Sequence, residues 1–120
     1  MGTSPEQRSG AWAEDWALGQ LEAAGWRLVS RNWRCRWGEL DLLVAKPGRL
    51  LLVEVKGRSR AGADGWGAAA LGFSKRQRLL RAWLCWQADH PEWSGAQLEW
   101  VAALVPLPPA LGPVRWFRLE

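Results

Sequence analysis

The sequence predicts an α/β domain in which a mixed β-sheet lies between helices. The apolar and polar pattern of the 120 residues gives the order helix, three strands, long loop, helix, then one or two strands. Both faces of the predicted central strands are apolar, which is typical of a sheet covered on both sides. We expect a single domain over residues 1–120. The two apolar faces are expected to carry Leu40, Leu42 and Val44 on one side and Leu43, Leu50 and Leu52 on the other.

The first helix has clear start and stop signals. Ser4 is a good N-cap and Pro5 suits the first turn, while Gly25 is a typical C-terminal stop. Glu14 lies on the inward stripe of this helix, four residues before Leu18. The segment "WRLVSRNWRCRW" then predicts a first strand.

The next stretch, "GELDLLVAKPGRLLLVEVKGR", predicts a hairpin around a Pro-Gly turn. If the two turn residues connect the strands directly, Asp41 faces Glu54 and Glu39 faces Lys56. Because side chains alternate along a strand, these four side chains project from one face. The hairpin therefore places Asp41, Glu54 and Lys56 inside the most apolar part of the chain.

Two desolvated carboxylates that face each other repel, and a divalent cation would remove the conflict. Asp41 and Glu54, with a backbone carbonyl and water, offer the oxygen ligands that Mg²⁺ accepts. Lys56 beside them can orient or deprotonate an attacking water, or stabilise charge developing on a phosphate. Glu14 is a candidate third carboxylate. The alternative is an ordinary Glu39–Lys56 ion pair on a solvated face.

A glycine-rich loop and a basic helix follow the hairpin. The loop "GRSRAGADGWGAAALGF" is long enough to suggest function or mobility. The helix "SKRQRLLRAWLCWQADH" carries positive charge in its first two turns, where charge opposes the helix dipole. Because the helix dipole disfavours positive charge there, we expect an interaction outside the helix to stabilise these cations. "QLEWVAALV" predicts a further strand, and "VRWFRL" an edge strand.

Charge and composition indicate the partner and compartment. The formal net charge is +4, but the segment Arg27–Arg81 has thirteen Lys/Arg and four acids. A basic segment of this kind suggests an anionic partner, most often nucleic acid, and a solvated arginine-rich surface is the alternative. Cys35 and Cys85 have no paired spacing and are expected to be free thiols. With no signal segment and no apolar run long enough to span a membrane, we expect a soluble, cytoplasmic protein.

The hairpin acids and lysine resemble the motif of the PD-(D/E)-x-K nuclease superfamily. The fuller string "RNWRCRWGELDLLVA", "LLLVEVKGRS" and "SKRQRLLRAW" resembles the YraN-like family of predicted bacterial endonucleases, which are related to archaeal Holliday-junction resolvases. The resemblance covers about residues 10 to 88. It departs at Leu40, which replaces a proline before the acid, and in the C-terminal third, where the match is loose.

The resemblance implies a restriction-endonuclease-like core with named site residues. Asp41 and Glu54 match the metal-binding acids, and the backbone carbonyl of Val55 is the implied third ligand. Lys56 matches the motif lysine, and Glu14 matches the helix glutamate of the resolvase-like branch. Side chains expected to bind nucleic acid are Arg58, Lys75, Arg76, Gln77, Arg78 and Arg81.

The function implied is a metal-dependent endonuclease that cleaves DNA, including branched or structured DNA, by in-line water attack. Mg²⁺ is the expected cofactor, with Mn²⁺ as a substitute, and a homodimer is left open. The first alternative is a non-catalytic nucleic-acid-binding protein that retains the fold, and the second is a scaffold protein with a tryptophan-rich surface. Trp37 and Trp66 border the site region, where they either pack within the protein or stack on bases.

Overall fold

The elements follow each other in the predicted order. The computed structural model describes residues 5–58, 73–109 and 112–119. Its elements are helix α1 (Pro5–Ala23), strands β1 (Arg27–Cys35), β2 (Gly38–Lys46) and β3 (Arg49–Arg58), helix α2 (Phe73–Asp89), and strands β4 (Gln97–Pro106) and β5 (Arg115–Arg118). The predicted α/β class is confirmed, including the C-terminal edge strand. Most of the glycine-rich loop, with Trp66, lies outside the described residues.

The strands form one mixed sheet in the order β1-β2-β3-β4-β5. The pairs β1–β2, β2–β3 and β4–β5 are antiparallel, whereas β3 and β4 are parallel. A parallel pair requires a crossover connection, and α2 lies in the connection between these two strands. Strand β3 is the central strand of the sheet, and it pairs with β2 along one edge and with β4 along the other.

Helices cover the two faces of the sheet, as the apolar strands predict. On the first face, α1 contributes the buried Ala13, Ala17 and Leu21, which pack on Leu42, Val44, Leu51, Val53, Ala103 and Val105. On the second face, α2 contributes Leu79, Ala82, Trp83 and Trp86, which pack on Leu40, Leu43, Leu50, Leu52 and Trp100. Within the described ranges, no helix is both long and apolar enough to cross a membrane.

The turn end of the β2–β3 hairpin has the predicted register. Lys46 pairs with Arg49, and the ladder continues in step as far as Leu42 with Val53. Gly48 has a φ of 73°, the conformation that the third position of a type II turn requires and that glycine adopts at little cost.

The far end of the hairpin departs from the prediction. The β2–β3 ladder ends at Leu42, so the predicted pairing of Asp41 with Glu54 does not form. Leu40 packs on the α2 face although Leu42 packs on the α1 face, so the expectation that they share a face is wrong. The alternation of side chains thus breaks at Asp41. Its Oδ2 accepts a hydrogen bond of 2.8 Å from the backbone N–H of Val55, where the ladder has ended.

Candidate functional site

A cavity of about 350 Å³ opens where β2 separates from β3. Strands β2 and β3, the residues that precede β2 and the first two turns of α2 enclose it. Its lining residues are Trp37, Gly38, Glu39, Asp41, Glu54, Lys75, Arg78 and Leu79. The break in the hairpin therefore brings acids of the sheet together with cations of α2.

Glu54 is the buried acid of this cavity. Its side chain is only 8 % exposed, and Oε1 lies 2.9 Å from Lys75 Nζ. The second oxygen, Oε2, is buried and has no hydrogen-bond partner among the described residues. Burying a carboxylate oxygen without a partner is costly. Lys75 therefore pairs with one oxygen of this carboxylate, and the other oxygen can accept a further cation or hydrogen-bond donor.

Asp41 is the second acid, and its environment opposes its negative charge. Burial away from water raises the pKa of Asp41 to about 8, and the nearby charge of Glu54 acts in the same direction. The hydrogen bond from the Val55 N–H lowers this pKa, but the raising effects dominate. A positive charge bound between the two carboxylates would oppose both effects, because it favours the ionised form of each acid.

Two more carboxylates lie beside Asp41. One oxygen from each of Glu14, Glu39 and Asp41 lies within 4.8 Å of the other two. Helix α1 thus brings Glu14 to the site, as predicted, where Asn32 Nδ2 donates to its Oε1 at 3.1 Å. Glu39 was expected to pair with a lysine of β3, but it bonds Arg34 Nε of β1 at 2.7 Å.

Glu39 is a candidate ligand that the motif reasoning did not assign to the site. It lies two residues before Asp41, and it lines the same cavity. Two features of the sequence could have indicated this role. Glu39 lies two residues from Asp41 on the same strand, and it is one of the charged residues predicted to project from one face of the hairpin. Its pairing with Arg34 depends on the β1–β2 register, which the sequence pattern did not define.

Lys56 is less closely associated with the acids than the motif implies. It lies two residues after Glu54 on β3 and is half-buried. It is not among the residues that line the cavity, and its side chain makes no hydrogen bond or ion pair within the described part of the chain. Val55 contributes its N–H to Asp41, whereas the predicted use of its carbonyl stays a prediction.

The side chains predicted to bind nucleic acid divide into two groups. Lys75 and Arg78 line the cavity. Arg76, Gln77 and Arg81 are exposed on the same helix, and Arg58 is half-buried at the end of β3. The positive charge of the first turns of α2 thus lies beside the acidic cavity, as expected of cations that have a partner outside the helix.

Trp37 lies at one wall of the cavity, between two arginines. The guanidinium carbon of Arg36 is 4.6 Å from the ring centroid, and that of Arg81 is 4.7 Å from it. The backbone N–H of Trp37 also approaches Cys35 Sγ at 3.4 Å. The ring lines a second cavity of about 520 Å³ along α2 as well. The neighbours of this ring in the structure are thus its own arginines, and the alternative role in stacking on bases stays a prediction.

The donor set of the cavity fits a hard divalent cation. Mg²⁺ prefers oxygen ligands, and carboxylates of Asp41, Glu54 and Glu39 line the cavity, with Glu14 adjacent. The Glu54 oxygen that lacks a partner in the described part of the chain and the raised pKa of Asp41 both indicate unbalanced negative charge. Cysteine or histidine ligands, which softer metals favour, are absent from the residues that line this cavity.

A mixed sheet between two helices, with acids on neighbouring central strands, defines a restriction-endonuclease-like core. The model of the Uncharacterised protein family UPF0102 matches residues 13–103. The chain belongs to this family, which is the YraN-like family that its motifs resemble. The matched range includes Glu14, the hairpin acids, Lys56 and all of α2.

Relatives from several bacteria are similar over most of their length. A UPF0102 protein of Prochlorococcus marinus (strain MIT 9313) is 49% identical over 111 residues, covering 92% of this chain and 88% of the relative. One from Synechococcus sp. (strain CC9902) is 46% identical over 115 residues, covering 96% and 95%. One from Halorhodospira halophila is 41% identical over 105 residues, covering 81% and 85%. Family membership defines the fold, whereas the function must be argued from the site.

Proposed function

We propose that the protein is a metal-dependent phosphodiesterase that cleaves nucleic acid, with DNA as the expected substrate. The observation that carries this proposal is the buried carboxylate of Glu54. One of its oxygens has no partner among the described residues, and it lines a cavity together with a second acid of raised pKa, Asp41. Perturbed acids in a cleft are typical of functional sites.

In this proposal the carboxylates of Asp41 and Glu54 hold the cation. Glu39, Glu14 and the backbone carbonyl of Val55 are further candidate ligands. When bound, Mg²⁺ or Mn²⁺ would supply a Lewis acid for a phosphate oxygen and for the attacking water. Cationic side chains of the protein would bind and orient the substrate.

Cations of α2 are suited to the substrate phosphate. Lys75 and Arg78 line the cavity, so each can contact an anion that enters it. Lys56 lies on the strand that carries Glu54, and we propose that it contacts the attacking water or the reacting phosphate when the substrate is bound. For in-line attack, the phosphate would be held between the acids of the sheet and the cations of α2 with the water opposite the leaving oxygen, so that one P–O bond forms as the other breaks.

The test is a cleavage panel with linear, flapped and four-way DNA in Mg²⁺, Mn²⁺ or EDTA. We expect cleavage that requires the metal and is lost in both Glu54→Ala and Glu54→Gln. Glu99→Gln is the matched control, because Glu99 is an acid of the neighbouring strand that pairs with Arg49 and Arg118 instead. Metal-independent cleavage, or full activity in Glu54→Gln, would contradict the proposed site.

A second candidate function is nucleic-acid binding without cleavage. The observation that favours it is the position of Lys56, which lies outside the residues that line the cavity. Wild-type protein that binds branched DNA but cuts no member of the panel with either metal would support this alternative.

A further inference from the structure

Two arginines share one tryptophan ring at the edge of the carboxylate cavity. Because Arg36 and Arg81 lie 4.6 Å and 4.7 Å from the centroid of Trp37, their guanidinium carbons are separated by no more than the sum of these distances. Both arginines are exposed, and neither forms an ion pair with an acid in the described ranges of the chain. Two like charges thus share one ring, and no acid among the described residues forms an ion pair with either of them.

A second ring in the same protein provides an internal comparison. Lys46 and Arg49 both lie over Trp26, at 4.8 Å and 4.9 Å from its centroid. There, however, Arg49 also forms an ion pair of 2.8 Å with Glu99. The pair at Trp26 is therefore partly neutralised by an ion pair, whereas the pair at Trp37 has no such partner among residues 5–58, 73–109 and 112–119.

The surroundings of Trp37 indicate which kind of anion would supply the missing charge. The ring lines the cavity that contains Asp41 and Glu54, and it also lines the second cavity along α2. If one phosphate of an extended polyanion lies beside the acids of the first cavity, the next part of its backbone would lie beside the Trp37 ring. Guanidinium groups match phosphate oxygens geometrically, and stacking on an aromatic ring holds them in a fixed orientation.

We propose that Arg36, Trp37 and Arg81 form a clamp for the phosphate backbone of a nucleic acid strand, in which the ring positions the arginines and does not stack on a base. The clamp deepens the proposed function, because it names what holds the strand beside the carboxylate cavity. Since both contacts are to phosphate, binding through the clamp is independent of base sequence.

The test measures binding without catalysis. The affinity for a fluorescently labelled flapped duplex, which offers both a duplex backbone and unpaired bases, is determined by anisotropy over a series of salt concentrations in EDTA, so that no metal-dependent cleavage occurs. Arg36→Ala and Arg81→Ala should each reduce the slope of log K against log salt by about 0.9, the value for one duplex phosphate contact. Arg115→Ala is the matched control, because that arginine also lies over a ring, Phe117, but on the edge strand β5.

Trp37 variants distinguish positioning from base stacking. Trp37→Leu removes no charge, yet it should reduce the salt slope because the two arginines lose their support, and Trp37→Phe should restore most of it. A loss of affinity in Trp37→Leu that is equal at all salt concentrations would instead indicate base stacking and would overturn the clamp. So would wild-type slopes in both arginine variants, or an equal decrease in Arg115→Ala.

Failure of the clamp can be separated from failure of the proposed function. If the wild-type protein binds and cleaves DNA while the arginine variants keep the wild-type slope, the clamp is wrong and the nuclease proposal stands. If the wild-type protein binds no nucleic acid, both are wrong.

Discussion

Lys75 Nζ lies 2.9 Å from Glu54 Oε1, so the cation that balances the buried acid comes from helix α2 and not from its own strand. The ammonium group contacts one oxygen only, and Oε2 is left without a partner among the described residues. The Lys75 side chain is 40% exposed, so it can leave the carboxylate without crossing the core. Lys75 thus lies where a metal ion bound by Glu54 would compete with it.

Lys75→Ala should therefore increase the affinity for Mn²⁺, because the competing ammonium group is gone. We expect an increase of about tenfold, within the range typical of two coupled binding events. Isothermal titration calorimetry of the metal alone measures this change. Arg78→Ala is the control, since Arg78 lines the same cavity without an ion pair in the described part of the chain, and its removal changes the net charge equally. Equal or weaker metal binding in Lys75→Ala than in Arg78→Ala would contradict the competition.

Metal should also stabilise the folded protein. A ligand that binds only the native state adds about 2.7 kcal/mol to the free energy of unfolding when its concentration is 100 times Kd. Mn²⁺ should therefore raise the Tm of the wild-type protein and of Glu99→Gln, but not that of Glu54→Gln. A thermal scan at matched ionic strength checks this, with Ca²⁺-free and EDTA-treated samples as the baseline. A Tm increase that persists in Glu54→Gln would mean that the metal binds elsewhere.

The raised pKa of Asp41, about 8 against an ordinary 3.8, predicts a pH dependence for the metal-free protein. Between these two values the folded state keeps a proton that the unfolded state has released. Stability is therefore highest below the unfolded pKa and decreases as the pH rises toward 8. Asp41→Asn keeps an oxygen for the Val55 N–H but cannot ionise, so it should lose this dependence and be the more stable protein at pH 8.

Urea unfolding of the wild-type and Asp41→Asn proteins at pH 5 and pH 8 in EDTA measures the effect. We expect the wild-type free energy of unfolding to decrease between the two pH values relative to the variant, by on the order of a few kcal/mol. Parallel changes in the two proteins would show that Asp41 is not the group responsible.

The predictability of the hairpin differs between its two ends. Near the turn, a two-residue connection and the period of two define the pairing, so the register from Lys46 to Leu42 followed from the sequence. The break at Asp41 did not, because the letters "LDLLV" contain no glycine or proline and are typical of an unbroken strand with apolar residues on both faces. Where the ladder ends, the backbone N–H of Val55 donates to the Asp41 side chain, a contact that no periodicity encodes.

Contacts between residues that are far apart in the sequence were the second feature that the sequence did not predict. The sequence placed Lys56 beside Glu54 because they are close on one strand, whereas Lys75 reaches Glu54 only after the crossover returns over that face. Glu14, by contrast, was assigned correctly to the inward side of α1, since the helical period alone determines the face. The periodicity of a single helix or strand therefore predicted which face a residue lies on. The crossover between β3 and β4 determined that Lys75 is the lysine that contacts Glu54.

Lys56 separates catalysis from binding. If it contacts the water or the reacting phosphate, Lys56→Ala should reduce the cleavage rate by about 10²-fold or more, as is typical for an electrostatic catalytic group. It removes one of sixteen Lys/Arg residues, so the affinity for DNA should fall by about one phosphate contact at most. Single-turnover cleavage and anisotropy on the same four-way substrate give the two quantities. Lys56→Arg, which keeps the charge with a different shape, should restore affinity but not rate. A Lys56→Ala protein that cleaves at the wild-type rate would remove this lysine from the mechanism and leave Lys75 as the lysine nearest the reacting phosphate.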